Sequence, residues 1–574
     1  MTRARLRAKA PFLAAVASVL AGCMFVAPLD EYPSGKATPA ATGGSSNLGG
    51  AAGALDNTAG SMDIAGAADS AGTGNAGAPS GGDTGGCRTN QDCVASSADE
   101  PYLCRSTDHT CVALKTEECP LAYGDASDPN AIFFGAFATL NALVPEDNAI
   151  VWAHRLALNE LSGDANGGLL GGPNGARRPL VMVVCNNAAD TVDKGLSHLA
   201  DDLLVPAVLA TLKPGDLRRG FEAHRAKRDI FYLSPTAATR AVVDEDDNGL
   251  IWNMLGQPSD LAPTYAKLLT LSEAYVKAQR SLTAPLRVAL VTTTDAFDSE
   301  LASFVEPVLT FNGVSITKNS DAGNFAGFTV DTSDPQPEAW AQKIVAFHPD
   351  IVISAASDTF SQKGGLLEAL EIDWNESDLT ATRPFYILSP YNAGDLSNVR
   401  DLMSSLIHDG IDSMPYRRFV GVSIAGAVDL TLQNQYAARL RTAFQGAYAD
   451  SGNYYDASYF LAYAMSAAGA SPLTGSRIAA AMPRLINGKA YDVGPTNISM
   501  VFQALSKPAS TIELDGTLGP PDFDAKTGVR HDEGSVFCFA SDKGVLSPLP
   551  DVLRYNTELG QFEGTFPCFS NFYP

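Results

Sequence analysis

The chain has 574 residues, 45% of them hydrophobic and 18% charged, and a formal net charge of −24. That length exceeds one ordinary core and calls for two or more domains. So acidic a balance argues against nucleic acid or an anionic membrane surface as partner, since both would repel it.

Residues 1–22 begin with Arg3, Arg5, Arg7 and Lys9 and continue with an apolar run from Phe12 to Leu20. The run is too short to span a bilayer as a stable helix and has the layout of a signal peptide. Leu20-Ala21-Gly22-Cys23 then resembles the lipobox of bacterial lipoproteins. That resemblance implies cleavage before Cys23 and a diacylglyceryl group on its thiol, with enough acyl chains for stable anchoring. Met24 stands where an inner-membrane retention signal would carry Asp, which favours the outer membrane. The folded part then lies in the periplasm or at the cell surface. Residues 23–86 are mostly Gly, Ala, Ser, Thr and Asp. Apolar bulk is too sparse to offset the entropy of ordering, so the expectation is a disordered tether. A flexible coil of about 60 residues reaches roughly 40–45 Å.

Residues 87–116 hold Cys87, Cys93, Cys104 and Cys111. So short a module needs staples, and an exported protein can form them. Three pairings exist; the interleaved one, 87–104 with 93–111, is favoured. The spacing is not finger-like, so no metal is expected. Cys119, Cys185, Cys538 and Cys568 remain, an even number once Cys23 is lipidated. The expected bridges are 119–185, closing the entry strand onto the second strand, and 538–568, stapling a C-terminal hairpin.

From residue 117 onwards, helical and buried-strand patterns alternate. Ile150, Ala153, Ala157 and Leu161 recur at helical spacing, a Gly-rich loop ends that helix, and Leu180 to Cys185 is apolar without a break. A strand apolar on both faces belongs inside a parallel sheet covered by helices. Further strands are expected at Ile132–Gly135, Pro206–Leu209, Ile230–Leu233 and Leu250–Met254. A second series is expected at Arg287–Val291, Val314–Thr317, Asp350–Ser354, Phe385–Leu388 and Phe419–Val422. Helices are expected at Ser299–Leu309, Ala339–Phe347, Gly365–Ile372, Val399–Ile407, Leu432–Ala449 and Ala457–Ala468. Two α/β series of similar size predict two lobes.

Several stretches carry a resemblance. They are the helix ending Ala157-Leu158-Asn159-Glu160, the strand ending in Cys185-Asn186-Asn187, Ser234-Pro235-Thr236-Ala237-Ala238-Thr239, Tyr455-Asp456-Ala457-Ser458-Tyr459 and Gly516-Thr517-Leu518-Gly519 with Asp522-Phe523-Asp524. In order and spacing they resemble type I periplasmic binding proteins, the leucine/isoleucine/valine-binding-protein-like solute receptors of ABC transporters. The resemblance implies an α/β fold of two hinged lobes, each an open parallel sheet with flanking helices. It further implies multiple crossings between lobes, with lobe 1 at 117–284 and 424–515 and lobe 2 at 285–423 and 516–574.

Ligands of such sheets sit beyond the carboxyl ends of the strands, and in a two-lobed receptor those ends face each other across a cleft. The candidate ligand-binding residues are Thr139, Thr211, Ser234, Thr236 and Thr239 on lobe 1, Asp295, Phe297, Ser357 and Tyr391 on lobe 2, and Tyr455 as an aromatic wall. Hydroxyls there suit a carboxylate or carbonyl ligand, although Ser and Thr after strands also cap the helices that follow. Lys213-Pro214-Gly215 stands where relatives carry adjacent serines, and Asp295-Ala296-Phe297-Asp298-Ser299 where they carry Asp-x-x-Tyr-Gly. Both departures weaken the expectation of an amino-acid ligand. Asp244 to Gly249 resembles half a calcium loop, but Leu255 replaces the bidentate Glu, so a polar turn is expected. None of the seven histidines forms a metal-like pair and no Gly-x-Ser-x-Gly elbow occurs, so neither an enzyme nor a cofactor is expected. The reading is a lipid-anchored receptor for a small solute, with an ABC permease as partner. The alternative is an outer-membrane lipoprotein of the same fold that binds a cell-envelope protein such as a cell-wall synthase.

Overall fold

In the computed structural model the described residues are 86–94, 101–163, 165–171, 176–333, 335–376, 383–390, 396–445, 447, 451–469, 472–520, 522–542 and 545–573. The signal segment, Cys23 and nearly all of the tether lie outside them.

The first lobe is built on an eight-stranded sheet. Its strands are β1 (Leu121–Tyr123), β2 (Ile132–Ala138), β3 (Leu180–Asn186), β4 (Ala207–Leu209), β5 (Phe231–Ala237) and β6 (Ile251–Leu255), completed by β12 (Phe523–Asp524) and β13 (Val529–Arg530). Their spatial order is β12-β13-β6-β5-β4-β2-β3-β1. The run from β13 to β3 is parallel, with antiparallel β1 and β12 at the edges. All seven residues of β2 are buried, because the strand lies inside the sheet with core on both faces. Phe134 and Ala136 face one core, which α1 (Ala149–Ser162) and α6 (Gly452–Ala468) cover; Phe133 and Phe137 face the other.

The second lobe repeats the plan with β7 (Val288–Thr293), β8 (Phe325–Val330), β9 (Ile351–Ala355), β10 (Phe385–Leu388) and β11 (Phe419–Ile424). These are extended by an antiparallel run of β14 (Gly534–Asp542), β15 (Val545–Asn556) and β16 (Gln561–Gly564). The order is β8-β7-β9-β10-β11-β14-β15-β16. The expected strand at Val314–Thr317 is a two-residue piece, Val314–Ser315, paired with Thr310–Phe311. The true strand is β8. It lies at the sheet edge, so its burial alternates and it lacks the unbroken apolar run of its neighbours.

Among the described residues three segments cross between the lobes. β6 runs through Gly256 and Gln257 into α3 (Pro258–Arg280), which has Pro at its start and a capping box between Gln257 and Asp260. Leu261, Tyr265, Leu268, Leu269 and Tyr275 of α3 are buried against the second sheet, so that lobe begins near residue 258 rather than 285. A helix shows its apolar face in sequence but not which sheet it covers. The second crossing is Ala425–Leu430. The third is His531–Glu533, so residues 516–530 complete the first sheet instead of opening the second lobe at Gly516. The crossings lie side by side: Ala425 N donates to Glu533 O at 2.8 Å and Gly256 N to Asp532 Oδ2 at 2.7 Å.

Cys87 pairs with Cys104 and Cys93 with Cys111, Cys119 with Cys185, and Cys538 with Cys568. The small module seats on the first lobe. Leu114 is buried in that lobe's core, and its carbonyl meets His198 Nε2 at 3.2 Å. Among the described residues no helix is long and apolar enough to cross a membrane.

Candidate functional site

The carboxyl ends of the two parallel runs carry small polar residues. On the first lobe, Thr211 lies two residues beyond β4; its carbonyl accepts from Asn187 Nδ2 at 3.0 Å, and its buried hydroxyl has no partner among the described residues. At the end of β5, Ser234 Oγ and Thr236 Oγ1 share a hydrogen bond of 2.9 Å, with Ser234 buried and Thr236 half-buried. Asn453, in the first turn of α6, donates to Pro235 O at 2.8 Å and so ties that helix to the same loop. Thr239 is buried at the start of the short helix Arg240–Val243. Thr139 is exposed beyond β2, its carbonyl held by Asn148 Nδ2 at 2.7 Å.

On the second lobe the organising group is Asp298, in the first turn of α4 (Ala296–Val308). It is fully buried. Its Oδ2 accepts from Thr293 Oγ1 at 2.5 Å and from Ser357 N at 2.8 Å, which joins the ends of β7 and β9, and its Oδ1 has no partner. Asp295 caps α4 by accepting from Phe297 N at 3.0 Å.

The lobes touch at the mouth between these ends. Lys213 Nζ lies 3.8 Å from Asp295 Oδ2, and the Glu300 carboxylate accepts from Arg240 N at 2.8 and 2.9 Å. The first is an exposed ion pair, which contributes only about 0–1 kcal/mol; the second is a backbone N–H held by a half-buried carboxylate.

Two expected site residues stand differently. Phe297 is 5% exposed and packs in the second lobe's core, because helical spacing turns it toward Leu301 and the sheet rather than the cleft. Tyr455 is 0% exposed. Its hydroxyl donates to Glu160 Oε2 and accepts from Arg439 Nη2 at 2.9 Å, so it belongs to the first lobe's interior instead of walling the cleft. Tyr391 lies outside the described residues. Asp298 was missed: an acid three residues after an N-cap reads as ordinary helix capping, and its inward turn depends on Thr293 and Ser357 from two other strands.

The Tyr-Asp-Ala and Gly-Thr-Leu-Gly stretches meet in space. Asp456 Oδ2 accepts from Thr517 N at 2.8 Å and from Thr517 Oγ1 at 2.9 Å. A Cβ on Gly516 would lie 2.5 Å from that oxygen, so glycine is required there. This turn borders a hollow of about 540 Å³ beside the second and third crossings, lined by Gly426, Asp429, Asp492, Asp515, Arg530 and others.

Burial pushes the carboxyls of both Asp298 and Asp456 up to about 6, against the hydrogen bonds they accept. The unfolded chain releases these protons near pH 4, before the folded chain does. Both groups therefore withdraw stability as pH rises from about 4 to about 6 and withdraw none below that window. Asp298→Asn is expected to flatten the fall of the urea midpoint across this range. An unchanged slope would contradict the burial argument.

No family model matches the chain, and no curated protein matches it. Among solved structures it is similar to the leucine-binding protein LivK from Thermotoga maritima, at 12% identity and a TM-score of 0.47, over 73% of this chain and 98% of that one. An ABC transporter substrate-binding protein from Desulfitobacterium hafniense in complex with Leu gives 15% and 0.46, over 73% and 100%. A solute-binding protein of an ABC transporter from R. palustris in complex with benzoate gives 14% and 0.45, over 73% and 96%. Likenesses this weak leave the fold to be read from the chain itself. Its two mixed, mainly parallel sheets, flanking helices and three described crossings make the two-lobed type I periplasmic-binding architecture.

Proposed function

We propose that the protein is an exported receptor that captures a small organic solute between its lobes, held to a membrane through Cys23 and serving ABC-type transport or sensing. The observation that carries this reading is mechanical. Each lobe has its own core, adjacent crossings join them, the strand ends of both carry polar groups, and the described contacts between those ends are few: Lys213 with Asp295, Arg240 with Glu300 and Phe304, and Ala237 against the second core. Such lobes can swing as bodies and close on a ligand. The Ser234–Thr236 pair and the Thr211 hydroxyl would supply hydrogen bonds from one side, and Ser357 with the Asp298 cluster from the other.

The test is a thermal-shift panel of amino acids, aromatic acids, short peptides and sugars on the full chain. A true ligand at about 100 times its dissociation constant should add roughly 2.7 kcal/mol. Thr236→Ala on one lobe and Ser357→Ala on the other are each expected to weaken that shift while leaving the unliganded transition in place. A shift that survives the lobe-two change would sink closure around the ligand. Cys23→Ser is expected to release the protein from the membrane fraction.

A further inference from the structure

At the amino-terminal end of the second sheet, away from the cleft, lies a hollow of about 320 Å³. Four guanidinium groups from three segments line it: Arg280 at the end of α3, Arg383 just before β10, and Arg417 and Arg418 just before β11. Three carboxylates answer them. Asp350 holds Arg280 at 2.8 Å, Glu371 holds Arg383 and Arg418, and Asp412 holds Arg418 Nε at 2.8 Å. Arg417 has no acidic partner among the described residues.

The donors are also undersatisfied. Arg383 is 5% exposed, yet among the described residues its Nε and Nη2 have no hydrogen-bond partner, and neither does the buried Nε of Arg417. Buried donors are rarely left unpaired, and charged ones least of all. Burial lowers the Arg280 guanidinium and the neighbouring Arg418 lowers it further, against the pull of Asp350. The site therefore has room, one surplus positive charge and forked donors, which is what a carboxylate requires. Its accessible apolar walls are half-buried Ile411 and exposed Met414, surfaces that inorganic phosphate would not use, backed by the buried rings of Tyr275 and Phe385.

We propose that this hollow binds a small organic carboxylate with an apolar body, at a site separate from the interlobe cleft. The fork of Arg417 meets the carboxylate, Arg280 and Arg383 add charge, and Ile411 and Met414 face the ligand's body.

Benzoate serves as the probe, with phosphate and chloride at matched ionic strength. Phenylglyoxal modification of Arg417 in the full chain, followed by peptide mass mapping, is expected to slow at least tenfold at saturating benzoate. By calorimetry, benzoate should bind at least about tenfold more tightly than phosphate. Arg417→Gln, which strands no buried acid, should weaken that binding about tenfold or more, as expected for a lost charge-assisted hydrogen bond. Thr236→Ala, in the cleft, should leave the protection of Arg417 intact. No protection of Arg417, benzoate no tighter than phosphate, or full affinity in Arg417→Gln would each overturn the proposal. Failure of the solute-receptor reading alone would leave the protection of Arg417 unchanged.

Discussion

Glu371→Ala is expected to lower the unfolding free energy by about 3–5 kcal/mol, the usual loss when one member of a buried ion pair is removed. Glu371 is 1% exposed in α5 (Leu366–Glu376). It accepts from Arg418 Nη1 at 3.0 Å, from Arg418 Nη2 at 3.1 Å, from Tyr386 Oη at 2.7 Å and from Arg383 Nη1. Removing it takes a carboxylate acceptor from two guanidinium groups and the acceptor from a buried phenol, with only Asp412 and backbone carbonyls left to Arg418 and Arg383. Burial alone would raise its carboxyl, but Arg418 and Arg383 outweigh burial and hold it below the ordinary range. Its stabilising contribution is thus present above the carboxyl's unfolded value and lost as pH falls through the folded one. Urea denaturation at neutral pH measures the loss directly. A change under about 1 kcal/mol would mean that solvent reaches the cluster.

Tyr455→Ala is expected to cost about 3–5 kcal/mol as well, through the cavity an aromatic ring leaves in a packed core. The ring lies 4.7 Å from that of Tyr436 and 5.0 Å from that of Tyr459, between centroids. Tyr459 also donates to Glu160 Oε2, at 2.6 Å, and Arg439 Nε to Oε1 at 2.9 Å. Tyr455→Phe keeps the ring and removes only the hydroxyl, so a smaller loss of about 1–3 kcal/mol is expected from partners left unsatisfied. Neither change should alter the affinity of the folded fraction for a cleft ligand. A Tyr455→Phe protein of native stability that binds its ligand poorly would return this residue to the site.

The sequence discloses the lobes because β2, β3, β7 and β9 are buried on both faces, and such strands are continuous apolar runs. It conceals β8, whose edge position gives alternating burial, and the allegiance of α3, whose apolar stripe would fit either sheet. The strand-end hydroxyls at Ser234 and Thr236 are legible because their positions follow from where the strands stop. Asp298 and Tyr455 are not, since each role depends on partners far along the chain: Ser357 for one, Glu160 for the other. Phe297 shows the same limit in reverse. An aromatic residue after a strand looks the same whether the helix that follows turns it toward the cleft or into the core.

Closure of the two lobes on a solute is tested most directly by the distance between them. Spin labels at Glu222→Cys on α2 (Pro214–His224) and Glu306→Cys on α4, both exposed, report it by pulsed dipolar spectroscopy. The compound returned by the thermal panel is expected to draw the distance distribution to a single shorter, narrower peak, and Thr236→Ala to demand more of the compound for the same change. A distribution that stays put while the ligand is bound would contradict a receptor that works by closing.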